Sequence, residues 1–289
     1  MSETFDALSG FRPLDEVAGI LEVLREADAA DAAPEPGALD LLAAHLDTAD
    51  PLRDTVEWLL RDGRGGDTGE AAWVTERVTV LAASDAAGRS PFAPSFATVG
   101  ALAEVYPGDA GIVISLLLNR VRLRRGEALY LAAGNIHAYL AGLGIELMAA
   151  SDNVLRGGLT PKHIDVTELL DVLDFTPIDP PRLAPETVAP GVLAFRPDVP
   201  DFVLYRVEPR AAAAASSSAS STDAARVPLG GPAIVLAEGG DLRLGGTLGT
   251  TSVARGGAVY VTPDEGAVEV AGDGIAWIAT TGLPAASGA

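Results

Sequence analysis

The chain has 289 residues, no cysteine, and 20 Lys and Arg against 40 Asp and Glu, a net charge of −20. That charge argues against nucleic acid or an anionic membrane as a partner, and no run approaches the eighteen apolar residues of a membrane span. The acidic start, MSETFDALSG, lacks a signal peptide's basic and apolar regions; with the missing cysteines it predicts a cytoplasmic protein.

The length suffices for one large or two ordinary domains. From Pro13 to about Ser84 the pattern is helical. Leu14, Val17, Leu21 and Leu24 recur at three-and-four spacing behind the acidic first-turn pair Asp15 and Glu16. A loop from Ala30 to Pro36 leads to a second apolar segment through Leu41, Leu42, His45 and Leu46. A third helix is predicted near Pro51 to Leu60. GRGGDTGE then breaks the chain, with Asp67 or Thr68 as the cap of a helix over Ala71 to Ala83. Trp58 and Trp73 read as core, and His45 as a partly buried or surface histidine.

Around Gly111 the texture changes. GIVISLLLN reads as a β-rich apolar run, VRLRRGEALYLAAG alternates, and turns recur near Gly126, Gly134 and Gly142. Alternation puts Arg120, Arg122 and Arg124, with Arg125 beside them, on a solvated face. Leu169 to Leu173 suggests a short helix, and PIDPPRLAP a connector. Short strands follow from Gly191 to Leu283, interrupted by RAAAAASSSASSTDAAR, a predicted mobile loop. Turns every eight to twelve residues predict a β-roll.

The chemistry concentrates in GEALYLAAGNIHAYLAGLGIELMAASDNVLRGGLTPKHIDV, from Gly126 to Val166. It carries His137 in a strand-like setting, Glu146, Asp152, Arg156 and Lys162, the one lysine of the chain. An anionic substrate of so acidic a protein needs a local basic pocket, so Arg156 and Lys162 stand out. Each alone is most simply a surface cation, as a lone His137 is most simply a core histidine. His163 is left at the margin of the site.

Gly126, Ala132, Gly134 and His137 fall at the spacing of the second cupin motif, with alanine in place of its proline and Ala141 in place of its asparagine. In cupins that histidine is a metal ligand. The span from Tyr106 to Val166 resembles class I mannose-6-phosphate isomerase. YPGD, LLLN, GEA, HAYL and SDNVLRGGLTPK stand in that family's order, and FDALSGFRP resembles the phrase leading into its helical subdomain.

The resemblance implies an aldose–ketose isomerase interconverting mannose 6-phosphate and fructose 6-phosphate through an enediol. It implies zinc with His137 as one ligand, Arg156 as the catalytic arginine, and Glu146 assisting proton transfer. Tyr139, Asp152 and Lys162 would bind substrate. A sugar phosphate is the expected partner and a monomer the favoured state. Other metal cupins such as oxygenases lack support, since no histidines cluster.

The implied fold is mainly β with a helical subdomain, built on cupin or jelly-roll units of which the first lacks its N-terminal strands. The expected division is a helical subdomain over 1–98 (after a β remnant at 1–12), a catalytic half-roll over 99–180, and a C-terminal roll over 181–289 with its loop at 210–226. In that roll Gly257 and Pro263 repeat the cupin spacing with no histidine after them, so no metal is expected there. The family's further zinc ligands, a glutamine–histidine pair and a glutamate, precede the matching region. Zinc is therefore expected to bind weakly or not at all. Either the sequence is the later part of a longer isomerase, which is the preferred reading, or it is a short sugar-phosphate-binding relative without metal chemistry.

Overall fold

A computed structural model describes residues 4–62, 68–150, 154–209 and 224–282. Among the described residues strand β1 (Thr4–Phe11) comes first, and seven helices follow: α1 (Leu14–Ala30), α2 (Pro36–Leu46), α3 (Pro51–Asp62), α4 (Glu70–Ala82), α5 (Asp85–Arg89), α6 (Ala93–Val105) and α7 (Gly111–Leu117). The chain then returns as β2 (Leu118–Arg124), which pairs antiparallel with β1. After β3 (Ala128–Leu129), strand β4 (His137–Ala141) pairs with the other edge of β1, giving the order β2-β1-β4. A short helix, α8 (Val166–Val172), and β5 (Arg182–Leu183), which pairs with β3, complete this part.

The helices form because their apolar residues recur at helical spacing. In α3, Leu52, Val56, Leu59 and Leu60 are buried on one side; each such side chain removed from water contributes about 1.5–3 kcal/mol. Between α4 and α1, Arg77 reaches Asp28 with contacts of 2.6 Å from Nε and 2.5 Å from Nη2, and both side chains are almost fully buried. Arg12, where β1 enters α1, is also buried. Its guanidinium donates to the Leu118 carbonyl and to Ser95 Oγ, tying the strand to the bundle.

Four readings of the sequence are corrected here. GIVISLLLN is a helix, α7, followed by the first residues of β2. All seven residues of α7 are buried, so no polar face marks the helical period and its β-branched content suggests a strand. Trp73 is 39% exposed rather than core, with Nε1 donating to Glu35 at 2.6 Å. Trp58 is half-buried against the core, stacked on His45 at 4.0 Å. Gly69 stands at the N-cap of α4; Asp62 joins the capping by accepting from Ala71 N at 2.8 Å and Thr68 N at 3.2 Å, while Thr68, one of the two predicted caps, accepts at Oγ1 from Glu70 N at 3.3 Å; Asp67 lies outside the described residues. Of the predicted loop, residues 210–223 lie outside the described residues, and Ala224, Ala225 and Arg226 belong to a strand.

That strand is β9 (Ala224–Pro228), one of ten among the described residues of the C-terminal part: β6 (Glu186–Ala189), β7 (Val192–Phe195), β8 (Val203–Val207), β9, β10 (Ala233–Gly239), β11 (Leu242–Gly245), β12 (Thr250–Val253), β13 (Ala258–Val261), β14 (Ala267–Gly272) and β15 (Ile275–Thr280). They make an antiparallel six-stranded sheet, β13-β10-β15-β8-β7-β6, and a four-stranded one, β12-β11-β14-β9. Inward residues alternate along β8, β9, β10 and β11, as in β8 with Val203, Tyr205 and Val207 buried, the habit of packed sheets. This core is distinct from that of the helical part. Between the two, Arg125 Nη2 meets Glu238 at 2.5 Å, and Glu238 also accepts from Trp277 Nε1 at 2.7 Å. No helix among the described residues is long and apolar enough to cross a membrane.

Candidate functional site

The site begins with the register of β4 on β1. Ser9 lies opposite His137, Leu8 opposite Ala138 and Ala7 opposite Tyr139. Strand alternation then turns Ala138 and Leu140 toward the core and leaves His137 and Tyr139 together on the open face. The turn before β4 needs glycine at 134. Its φ is +80°, and a Cβ there would sit 2.8 Å from the Val172 carbonyl at the end of α8.

This turn also orients the histidine. His137 Nδ1 lies 3.0 Å from the Asn135 carbonyl oxygen. A carbonyl only accepts, so Nδ1 carries the proton and Nε2 presents its lone pair. A metal-ligating imidazole is usually held in this way.

Tyr139 stands beside it, the two rings 5.6 Å apart. Its hydroxyl donates to Glu146 Oε1 at 2.5 Å, and Phe5 packs edge-on against its ring. Burial, and then the bonded Glu146 carboxylate, push the Tyr139 hydroxyl well above the usual phenol range. His137, Tyr139 and Glu146 are thus brought together, with Tyr139 half-exposed and its oxygen committed to the carboxylate.

The cationic segment is fixed by a different device. Asp109, the last residue of YPGD, accepts at Oδ1 from Gly111 N at 2.7 Å, inside the first turn of α7, and from Leu159 N at 3.0 Å. Leu159 has φ +52°, a conformation that side chains disfavour. Gly158 approaches so closely that a Cβ on it would lie 3.0 Å from the Gly111 Cα. The GGLT turn is therefore clamped to the start of α7.

Arg156 precedes this clamp and is exposed. Lys162 follows it and lines a cleft of about 570 Å³ with His163, Ile164, Leu60 and Arg61. None of His137, Tyr139 or Glu146 lines that cleft. Asp152 lies outside the described residues. Arg122 and Arg124 are exposed on β2 as alternation predicts; Arg120, on the same face, is only partly exposed and pairs with Asp6 at 2.7 Å.

Zinc requires three or more protein ligands. Among the described residues no group of three His, Cys, Asp or Glu side chains could hold a metal ion. His137 offers one nitrogen in suitable orientation, and the described residues do not complete a zinc site around it. Sequence reasoning missed Asp109. The signal for Asp109 was present, an acid two residues before the run that becomes α7.

No family model matches the chain. It is 44% identical over 128 residues to the mannose-6-phosphate isomerase of Salmonella typhimurium, across 44% of this chain and 33% of that protein. It is 34% identical over 199 residues to the mannose-6-phosphate isomerase of Escherichia coli, across 68% of this chain and 46% of that one. Among solved structures, a single-substitution, arginine-to-alanine variant of phosphomannose isomerase from Salmonella typhimurium superposes at TM-score 0.77 and 27% identity, covering 97% of this chain and 65% of that one. Mannose 6-phosphate isomerase from the same organism, bound to fructose 6-phosphate and zinc, superposes at 0.76 and 27%, over 97% and 64%. The resemblance read from the sequence is thus shown in both sequence and fold, and the matches span about a third to a half of the curated relatives' length.

Proposed function

We propose that this chain carries the site of an aldose–ketose isomerase interconverting mannose 6-phosphate and fructose 6-phosphate. The observation that carries the reading is the Glu146 carboxylate held by Tyr139 beside His137 on one sheet face. The reaction moves a proton between C2 of the aldose and C1 of the ketose. A base takes the C2 proton, the C1–C2 bond becomes double, and the C1 oxygen takes a proton. The enediol is then protonated at C1 as O2 gives up its proton.

Glu146 is a carboxylate suited to that transfer. Its bond to Tyr139 fixes its position, so it need not be ordered by substrate. Arg156 supplies a planar fork for the negative charge that develops on oxygen, and Lys162 a point charge for the anionic end. In the zinc-bound relatives the metal would polarise the substrate oxygens; here His137 is the residue that would face it.

The test is solvent exchange. Fructose 6-phosphate incubated with the protein in deuterium oxide should incorporate deuterium at C1, read by proton NMR, at a rate well above buffer. Absence of exchange would favour the second reading, a sugar-phosphate-binding protein without turnover. That reading draws on the incomplete ligand set among the described residues.

A further inference from the structure

The edge of a sheet presents backbone N–H and C=O groups with no neighbouring strand to take them. Among the described residues the two C-terminal sheets end in β13, β6, β12 and β9, and three of these edges are blunted. β6 begins at Glu186, lies between Pro185 and Pro190, and carries a register shift. β9 holds Arg226 and ends at Pro228, and β12 exposes Thr250, Thr251 and Ser252. β13 differs. Its residues Ala258, Val259, Tyr260 and Val261 include no charge and no proline, and they pair with β10 in unbroken register. Val259 and Val261 turn to the core, which leaves Ala258 and Tyr260 outward. Tyr260 is 63% exposed and lies opposite Ile234, 55% exposed; the row continues across the sheet through Ala279 to Leu204.

We infer that β13 is a self-association edge, on which β13 of a second copy of this chain pairs antiparallel about a twofold axis. A chain of net charge −20 repels its own copies, so two copies meet best where acids are lacking, as along this row. The flanks of the strand set the direction of pairing. Arg255 stands three residues before β13 and Asp264 three after it, both exposed. Antiparallel pairing brings Arg255 of each copy alongside Asp264 of the other, twice by symmetry, whereas parallel pairing would set like charges together. On the outer face the Tyr260 rings of the two copies then meet beside Ile234. Each copy offers one such edge in these two sheets, so the pairing closes at a dimer. A strand this short gives a contact below the standard size of about 800 Å² per partner, so the monomer expected from the sequence is the dilute state. Nothing in the inference depends on the isomerase reading.

The intact chain is taken through sedimentation equilibrium at low salt from about 1 to 300 μM, with hydrogen exchange of the β13 amides read at both ends of the range. Monomer should give way to dimer, and the β13 amides that point away from β10 should exchange more slowly in the dimer. Tyr260→Lys sets two ammonium groups against each other at the centre of the contact and should abolish the dimer. Arg255→Glu and Asp264→Arg should each weaken it by about tenfold, the scale of two exposed pairs turned from attraction to repulsion. The double variant rebuilds the pair with its signs exchanged and should recover the dimer. A thermal melt of each variant separates lost association from lost fold.

A chain that stays monomeric across the whole range overturns the inference. In that case protected β13 amides would place another segment of the same chain on the edge, and fast exchange would leave the edge bare. A dimer that survives Tyr260→Lys uses a different surface. A dimer lost in Tyr260→Lys but not recovered in the double charge variant associates through its outer faces; either result refutes pairing through β13.

Discussion

Asp109 and Leu159, fifty residues apart, are joined by a 3.0 Å hydrogen bond from the Leu159 amide to the Asp109 carboxylate. The same carboxylate oxygen accepts from Gly111, so one acid both starts α7 and fixes the turn that separates Arg156 from Lys162. Leu159 holds its left-handed backbone, φ +52°, between this bond and the close approach of Gly158 to Gly111.

Replacing Asp109 with alanine removes the oxygen that accepts both bonds. The expected loss is about 1–3 kcal/mol in urea unfolding, with faster amide exchange at Leu159 and Gly111. Unchanged protection at Leu159 would show that the turn is held by packing alone.

Tyr139→Phe removes the hydroxyl that holds Glu146. The folded-state hydroxyl titrates above an ordinary phenol, whose pKa is about 10, because of burial and the Glu146 carboxylate. A raised folded-state pKa gives stability that is fully present below the unfolded value and lost as pH rises through the folded one. The parent should therefore exceed Tyr139→Phe by a constant margin from pH 7 to about 10, and the margin should shrink above it. Since Tyr139 is half-exposed, that margin is at most about 1 kcal/mol. Urea unfolding at stepped pH reads it; a margin that grows above pH 10 would contradict the assignment.

Much of this was legible in the sequence because it rests on local periodicity and on rare strings in order. The first helix declared itself by one apolar face and the next three by apolar segments, an early proline and a cap, His137 by its strand-like setting and motif spacing, and Tyr139 through the family resemblance alone. What was not legible has a common cause. The α7 segment is buried on every side, so its composition and not its period dominated the reading. The Asp62 contact reaches nine residues ahead to Ala71, and the meeting of Arg61 with Lys162 depends on how α3 packs. Trp73 failed for the opposite reason: a large apolar ring reads as core, yet its N–H is satisfied by Glu35 near the surface.

The buried Arg77–Asp28 pair predicts a large asymmetric cost. Arg77→Met leaves a carboxylate that is only 4% exposed without its cation, and should lower stability by about 3–5 kcal/mol. Adding Asp28→Asn should recover part of that loss. A small single-variant effect in urea unfolding would mean that water reaches Asp28 when the arginine is removed.

Zinc content after mild dialysis should fall well below one per chain, because His137 finds no complete ligand set among the described residues. A stoichiometry near one, by elemental analysis, would show that other parts of the chain supply ligands to His137 Nε2.

The most direct test is interconversion of mannose 6-phosphate and fructose 6-phosphate by the 289-residue protein, approached from both sugars with zinc supplied and compared with Arg156→Ala. The account predicts convergence on one equilibrium ratio from either side. Arg156→Ala, with an unchanged thermal melt, should lose about a hundredfold or more in rate, the scale of one electrostatic contact to the transition state. No conversion above buffer, or full turnover in Arg156→Ala, would contradict it.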